Sequence, residues 1–133
     1  MADTKRKGDI AEAMVLAEVF RRGYRAAIPV GEDWPFDLIV ERRGKFERVQ
    51  CKYTVSDGRM IKAKCSSTNN WVSIRYTKTH IDWLAVYDRT SDACYYIPAE
   101  ELGDGRYSMH LRLRPAANRQ EKGLRWARDY MKW

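Results

Sequence analysis

At 133 residues, with 44% hydrophobic and 32% charged positions, the chain has the size and composition of one globular domain (residues 1–133). Such a length buries roughly two-thirds of the unfolded surface, so neither disulfides nor a metal are needed to hold it together. No run approaches eighteen apolar residues and the charged start MADTKRKGDI leads into no apolar signal region, which argues against a membrane or secreted protein and for an intracellular, cytoplasmic one. Lysine and arginine (25) exceed aspartate and glutamate (18) for a net charge of +7, a balance that favours a polyanionic partner.

From Lys5 to Arg22 the residues suit a helix, with Ile10, Ala13, Met14, Ala17 and Phe20 at helical spacing, Asp3 or Thr4 as candidate cap and Gly23 as the stop. A short strand is expected over 24–30, then a loop closed by Pro35, which biases Trp34 to an extended conformation. Residues 36–41 and 46–54 read as a hairpin around Arg43 and Gly44. With those two as the loop, the partners sum to 87 and Asp37 faces Gln50; a bulge at Gly44 would shift that register by one. Beyond it, 59–65 is expected to pair back on the third strand, 66–70 to be a polar loop and 71–76 a short extended piece. The apolar run 81–88 suits a central strand and 93–98 the next. Residues 98–102 read as one helical turn, 106–113 as an edge strand and 118–133 as a terminal helix flawed by Gly123.

Cys51, Cys65 and Cys94 are far apart and without a C-x-x-C pair, against a zinc site and for reduced, buried thiols. His80 and His110 have no partner motif and receive no catalytic role. The five tryptophans are too scattered for a base-stacking platform, Trp34 beside the hairpin excepted.

The hairpin carries the chemistry. Direct antiparallel partners share a face, and a period of two adds Lys52, so Asp37, Gln50 and Lys52 converge while Val49, Cys51 and Tyr53 point into the core. Glu12 on the helix is either a fourth member or an exposed edge residue. Lys5, Arg6 and Lys7 lead into the helical stretch of Glu12, and Arg119, Lys122, Arg125 and Arg128 recur every three residues near the end; both sets suit phosphate contacts or a solvated face.

These residues resemble the PD-(D/E)XK nuclease superfamily over most of the chain. Within it the match is to the group I intron-associated homing endonuclease family, whose members tend to read K-G-x-x-A-E, P-x-D, Q-x-K and N-x-Q-x-x-G-x-R-W-A-x-D-Y. Here stand KGDIAE (7–12), PFD (35–37), QCK (50–52) and NRQEKGLRWARDY (118–130). The resemblance implies an α/β, restriction-endonuclease-like mixed sheet flanked by helices. It implies a site-specific endonuclease on double-stranded DNA that uses Mg²⁺, with Mn²⁺ as substitute. Asp37 would ligate the metal, Glu12 support its shell, and Lys52 activate or orient the attacking water. Gln50 departs from the superfamily pattern: it stands where an acid is usual and offers a neutral carbonyl oxygen. A junction resolvase shares the early motif and the hairpin but usually carries Glu-x-Lys, and a catalytically dead DNA-binding module is the third reading. Cutting both strands with one centre per copy implies a homodimer or homotetramer, and an apolar stripe of Leu124, Ala127, Tyr130 and Met131, aided by Trp126 and Trp133, either glues the copies together or packs on the chain's own sheet.

Overall fold

The apolar spacing of the N-terminal stretch produces one long helix. The computed structural model describes residues 2–69, 71–116, 118 and 123–133, and α1 spans Ala2–Arg21. Ala11, Val15 and Val19, four residues apart, are fully buried, as the core-facing stripe of a helix requires. The helix begins before Lys5, so Asp3 and Thr4 lie inside it rather than capping it; Asp3 instead pairs with Lys7 at 3.3 Å, one turn on. Its end is where the sequence places it. Gly23 takes a φ of +76°, the Tyr24 N–H reaches Val19 O at 2.9 Å and the Gly23 N–H reaches Phe20 O at 3.0 Å, the paired bonds of a Schellman motif.

Nine strands follow among the described residues: β1 Arg25–Ala27, β2 Leu38–Arg42, β3 Lys45–Thr54, β4 Met60–Lys64, β5 Ser66–Asn69, β6 Val72–Arg75, β7 Trp83–Asp88, β8 Ala93–Pro98 and β9 Ser108–Arg112. The main sheet has the order β1-β2-β3-β7-β8 and is mixed, parallel between β3 and β7 and antiparallel elsewhere. In the β2–β3 hairpin Leu38 faces Val49 and Arg42 faces Lys45, so the partners do sum to 87. Arg43 and Gly44 have φ of +53° and +76°, the signature of a two-residue type I′ turn, whose twist matches that of the strands and needs no bulge.

Alternation along the central strand β7 separates two cores. Ala85 and Tyr87 join Val49, Cys51 and the buried stripe of α1 on one face. Leu84 and Val86 join Ile61, Ala63, Met109 and Leu111 on the other, where β4 and β9 pair as a small second sheet. A 3-10 turn, Ala99–Leu102, lies where one helical turn is expected. The three cysteines are free and buried, and no helix among the described residues is long and apolar enough to cross a membrane.

Three expected elements are different. Residues 60–64 pair with β9 rather than with β3, because Ile61 and Ala63 then cover the sheet face that α1 leaves open. The polar stretch after Cys65 is strand β5, paired with β6. The terminal helix does not form in the described residues. Gly123 has a φ of +77°, the Arg112 N–H reaches Arg125 O at 2.7 Å, and Trp126 bridges Arg112 in parallel before one 3-10 turn, Ala127–Tyr130. An extended path lets Ala127 enter one core and Trp133 the other, which the single stripe of a helix cannot do. α1 is therefore the one α-helix flanking the sheet among the described residues. Of the expected apolar glue, Ala127 and Trp133 turn inward, Trp133 stacking on Tyr96 at 4.3 Å, whereas Leu124, Trp126 and Tyr130 are half-buried and Met131 is exposed.

Candidate active site

β2 begins only at Leu38, so beyond Val49 the β3 side that faces β2 has no hairpin partner, and the backbone there needs another acceptor. Asp37 supplies it. Its own N–H continues the ladder to Val49 O at 2.9 Å, while its Oδ2 accepts the Cys51 N–H at 3.0 Å. The loop before it is pinned by Phe36, buried in the core and against Trp34 at 5.3 Å, and by the Trp34 Nε1–H donating to Val30 O at 2.7 Å. Asp37 is thus held by bonds on both sides of its Cα rather than swinging on a loose loop.

Burial is the largest influence on the Asp37 carboxyl and raises it above its ordinary 3.8, against the Cys51 N–H and the Lys52 charge, which lower it. Glu12 comes from the half-buried flank of α1 beside Ala11. Its carboxyl is raised above 4.5, first by burial, then by repulsion from Asp37 and Asp9. The Cys51 thiol, on the α1 side of the sheet, is pushed well up by burial and by both carboxylates, so it stays a neutral filler. A buried carboxyl with a second acid near enough to feel its charge is a site that gains from a cation.

Gln50 closes the group. One end of its amide lies 3.0 Å from Pro35 O and 3.2 Å from Asp37 Oδ2. With nitrogen there, the amide donates to both. With oxygen there, three oxygens face one another, an arrangement only a cation favours, and the nitrogen is left a long 3.5 Å contact with Cys51 O. The two ends of an amide are told apart by their hydrogen-bond partners. Among the described residues no group of three His, Cys, Asp or Glu side chains is placed to hold a metal. The oxygens that could meet a hard cation here are the carboxylates of Asp37 and Glu12, the Gln50 amide oxygen and Pro35 O, a donor chemistry of the kind Mg²⁺ takes.

Lys52, two residues along β3, is held from the opposite side. Its Nζ donates to Ser66 O at 3.2 Å and sits 5.3 Å from the centre of the Tyr76 ring. Burial lowers its pKa from 10.5, Lys64 lowers it further, and Asp37 works against both. Tyr76 and Ser66 are buried and Tyr76 also feels Asp37. Sequence reasoning passes over Ser66, Tyr76 and Lys64, since no motif marks them and only the packing of β5 and β6 brings them to Lys52.

The other basic residues divide. Lys5, Arg6 and Lys7 are exposed on the first turns of α1, and Lys7 Nζ lies 6.0 Å from the Tyr53 ring centre near the far end of β3. Arg125 precedes the final 3-10 turn and pairs with Glu101 at 3.7 Å, while Arg128, inside that turn, stacks on Trp126 at 5.0 Å. They form no helical stripe, because the helix that would align them is absent there. Arg119 and Lys122 lie outside the described residues.

Comparison with known proteins returns a family model described as PD-(D/E)XK endonuclease, matched over residues 2–133. No curated protein matches the chain. Among solved structures, that of a bacterial homing endonuclease, I-Ssp6803I, superposes with a TM-score of 0.66 at 23% identity, covering 90% of this chain and 83% of that one. At that identity the likeness speaks for the fold, a restriction-endonuclease-like mixed sheet.

Proposed function

The chain belongs to the PD-(D/E)XK endonuclease family, and on that premise we propose that it is a Mg²⁺-dependent, site-specific endonuclease of double-stranded DNA, homing-endonuclease-like, with Mn²⁺ able to substitute. The observation that carries the reading is the shared position of Asp37 and Gln50, 3.2 Å apart, with Glu12 close enough to feel Asp37 and Lys52 held nearby. Asp37, Glu12 and Gln50 would hold the metal. When bound, it supplies Lewis-acid charge and a water acidic enough to be a nucleophile near neutral pH. Lys52 has three N–H donors and spends one on Ser66 O. The other two are left to orient the attacking water and to meet the charge that collects on a pentacoordinate phosphorus. The exposed Lys5, Arg6 and Lys7, with Arg125 and Arg128, serve as phosphate contacts, and Arg119 and Lys122 are assigned to the same role from the sequence.

One centre attacks one strand, so duplex cleavage calls for two copies about a two-fold axis. The test is cleavage of linear duplex and of four-way DNA by the wild type, Asp37→Ala and Lys52→Ala, with Mg²⁺, Mn²⁺ or chelator. Both variants should lose at least about 10²–10³ in rate, the scale of one electrostatic stabiliser removed, while still binding DNA. Folded variants that cut at the wild-type rate would remove these residues from the site. Preference for four-way DNA would make the protein a junction resolvase, and an inert wild type in either metal a binding module.

A further inference from the structure

Between Gly58 and Ile81 the chain contains no Asp or Glu, whereas Arg59, Lys62, Lys64, Arg75 and Lys78 are all basic. In a protein with 18 acids elsewhere, so long an acid-free run marks a surface built for negative charge. The middle of this run is the β5–β6 ribbon. All four residues of β6 are exposed, and Trp71 at the tip is fully so. An isolated two-stranded hairpin is marginal in water, since nothing covers its faces. Its root is nevertheless rigid. The Tyr76 N–H reaches Cys65 O at 3.0 Å, the Cys65 N–H reaches Tyr107 O at 2.7 Å, and the Arg75 guanidinium stacks 3.8 Å from the Tyr107 ring centre. Gly105 lets Arg75 come close: a Cβ there would stand 2.9 Å from that of Arg75.

Resting on the nuclease reading, we propose that this ribbon enters the major groove beside the phosphate being cut and reads base edges there. The root touches Lys52 directly, through Ser66 O at 3.2 Å and the Tyr76 ring. Along β5, from Ser66 to Asn69, three residue steps at about 3.3 Å give a reach of about 10 Å before the turn. That spans a groove about 8.5 Å deep with the root still at the backbone, and a two-stranded ribbon fits the major groove, about 12 Å wide, but not the minor, about 6 Å. Pairing sets the faces: Thr68 lies opposite Ser73 and Ser66 opposite Arg75, so by the period of two these polar side chains share one side. Ser and Thr hydroxyls donate and accept, which suits base edges of either kind. A second copy of the chain is the weaker occupant, because the basic residues of two such stretches would face one another.

The test is selection of binders from duplexes with randomised positions, in the absence of divalent metal, so that recognition is read apart from cutting. The variants are the double change Thr68→Ala with Ser73→Ala, and Trp71→Gly. Glycine takes the Trp71 φ of +73° without strain, so the turn persists, and thermal melting checks that each variant folds. The wild type should enrich a consensus, and the double variant should lose discrimination by about fivefold or more at a contiguous block of positions. Wild-type cleavage of the enriched duplex in Mg²⁺ should then fall next to that block. An unchanged consensus in both variants would overturn the proposal, as would a wild type that enriches none, or variants that alter only the oligomeric state by light scattering. Wild-type binding with selectivity but no cleavage in Mg²⁺ or Mn²⁺ would sink the nuclease reading while upholding the ribbon as reader.

Discussion

Replacing Gln50 by glutamate tests the site without changing side-chain length. The amide end that meets Pro35 O at 3.0 Å and Asp37 Oδ2 at 3.2 Å becomes a carboxylate oxygen, so two donated bonds turn into oxygen–oxygen contacts. Two unit charges at 3.2 Å repel by about 5 kcal/mol at an effective dielectric constant of about 20. Taking up a proton at pH 7 costs a glutamate of ordinary pKa only about 3.7 kcal/mol, at about 1.36 kcal/mol per pH unit. Protonation is the cheaper escape and sets the ceiling; rotation away from Asp37, losing the hydrogen bonds at about 1 kcal/mol each, sets the floor. The metal-free variant should therefore be less stable by about 1–4 kcal/mol, and a chain of this length loses about 3–4 °C of Tm per kcal/mol.

The new carboxyl has a raised folded-state pKa, so the destabilisation is present at neutral pH and vanishes as pH falls through that pKa toward the unfolded value. A cation between the three acids cancels the same repulsion. Melting curves should show a deficit of about 3–16 °C at pH 7 without metal, shrinking at about pH 4 to 5 and closing with saturating Mg²⁺ or Mn²⁺. Equal melting temperatures in chelator at pH 7, together with equal Mg²⁺ titrations, would show that Gln50 and Asp37 do not share a cation-binding point.

The pH–rate profile should be bell-shaped: its acid limb lies above 4.5, where Glu12 and Asp37, both raised by burial, lose the proton that competes with metal, and its alkaline limb lies below 10.5, where the buried Lys52 gives up its charge. A profile flat from pH 5 to 10 would contradict both assignments. Trp133→Ala should cost about 3–5 kcal/mol in urea unfolding, since the ring is stacked on Tyr96 and edge-on to Tyr24 at 5.7 Å. Trp133→Phe should cost less, because the buried Nε1–H has no partner to lose among the described residues. Light scattering should show the folded Trp133→Ala protein in the wild-type oligomeric state; dissociation into monomers would restore the C-terminal segment as the glue.

What the amino-acid sequence determined by itself is what local rules settle. The period of the apolar positions and Gly23 set α1 and its end, and the Arg43-Gly44 turn with alternating partners placed Asp37 opposite Gln50 and Lys52 on their side of β3. Such features depend on neighbours a few residues away, or on one hairpin whose register the turn dictates. The sheet order, the second sheet of β4 and β9, and the ribbon root at Lys52 join residues far apart in the chain, and no period in the sequence encodes such pairings. The C-terminal segment shows the cost most plainly. Its spacing suits a helix, yet Ala127 and Trp133 are claimed by cores on opposite faces of the sheet, and burying both stabilises more than the helical bonds given up. Tertiary burial overrules local preference wherever the two compete, because helix propensity is worth less than about 1 kcal/mol per ordinary residue, whereas one buried aromatic ring is worth several.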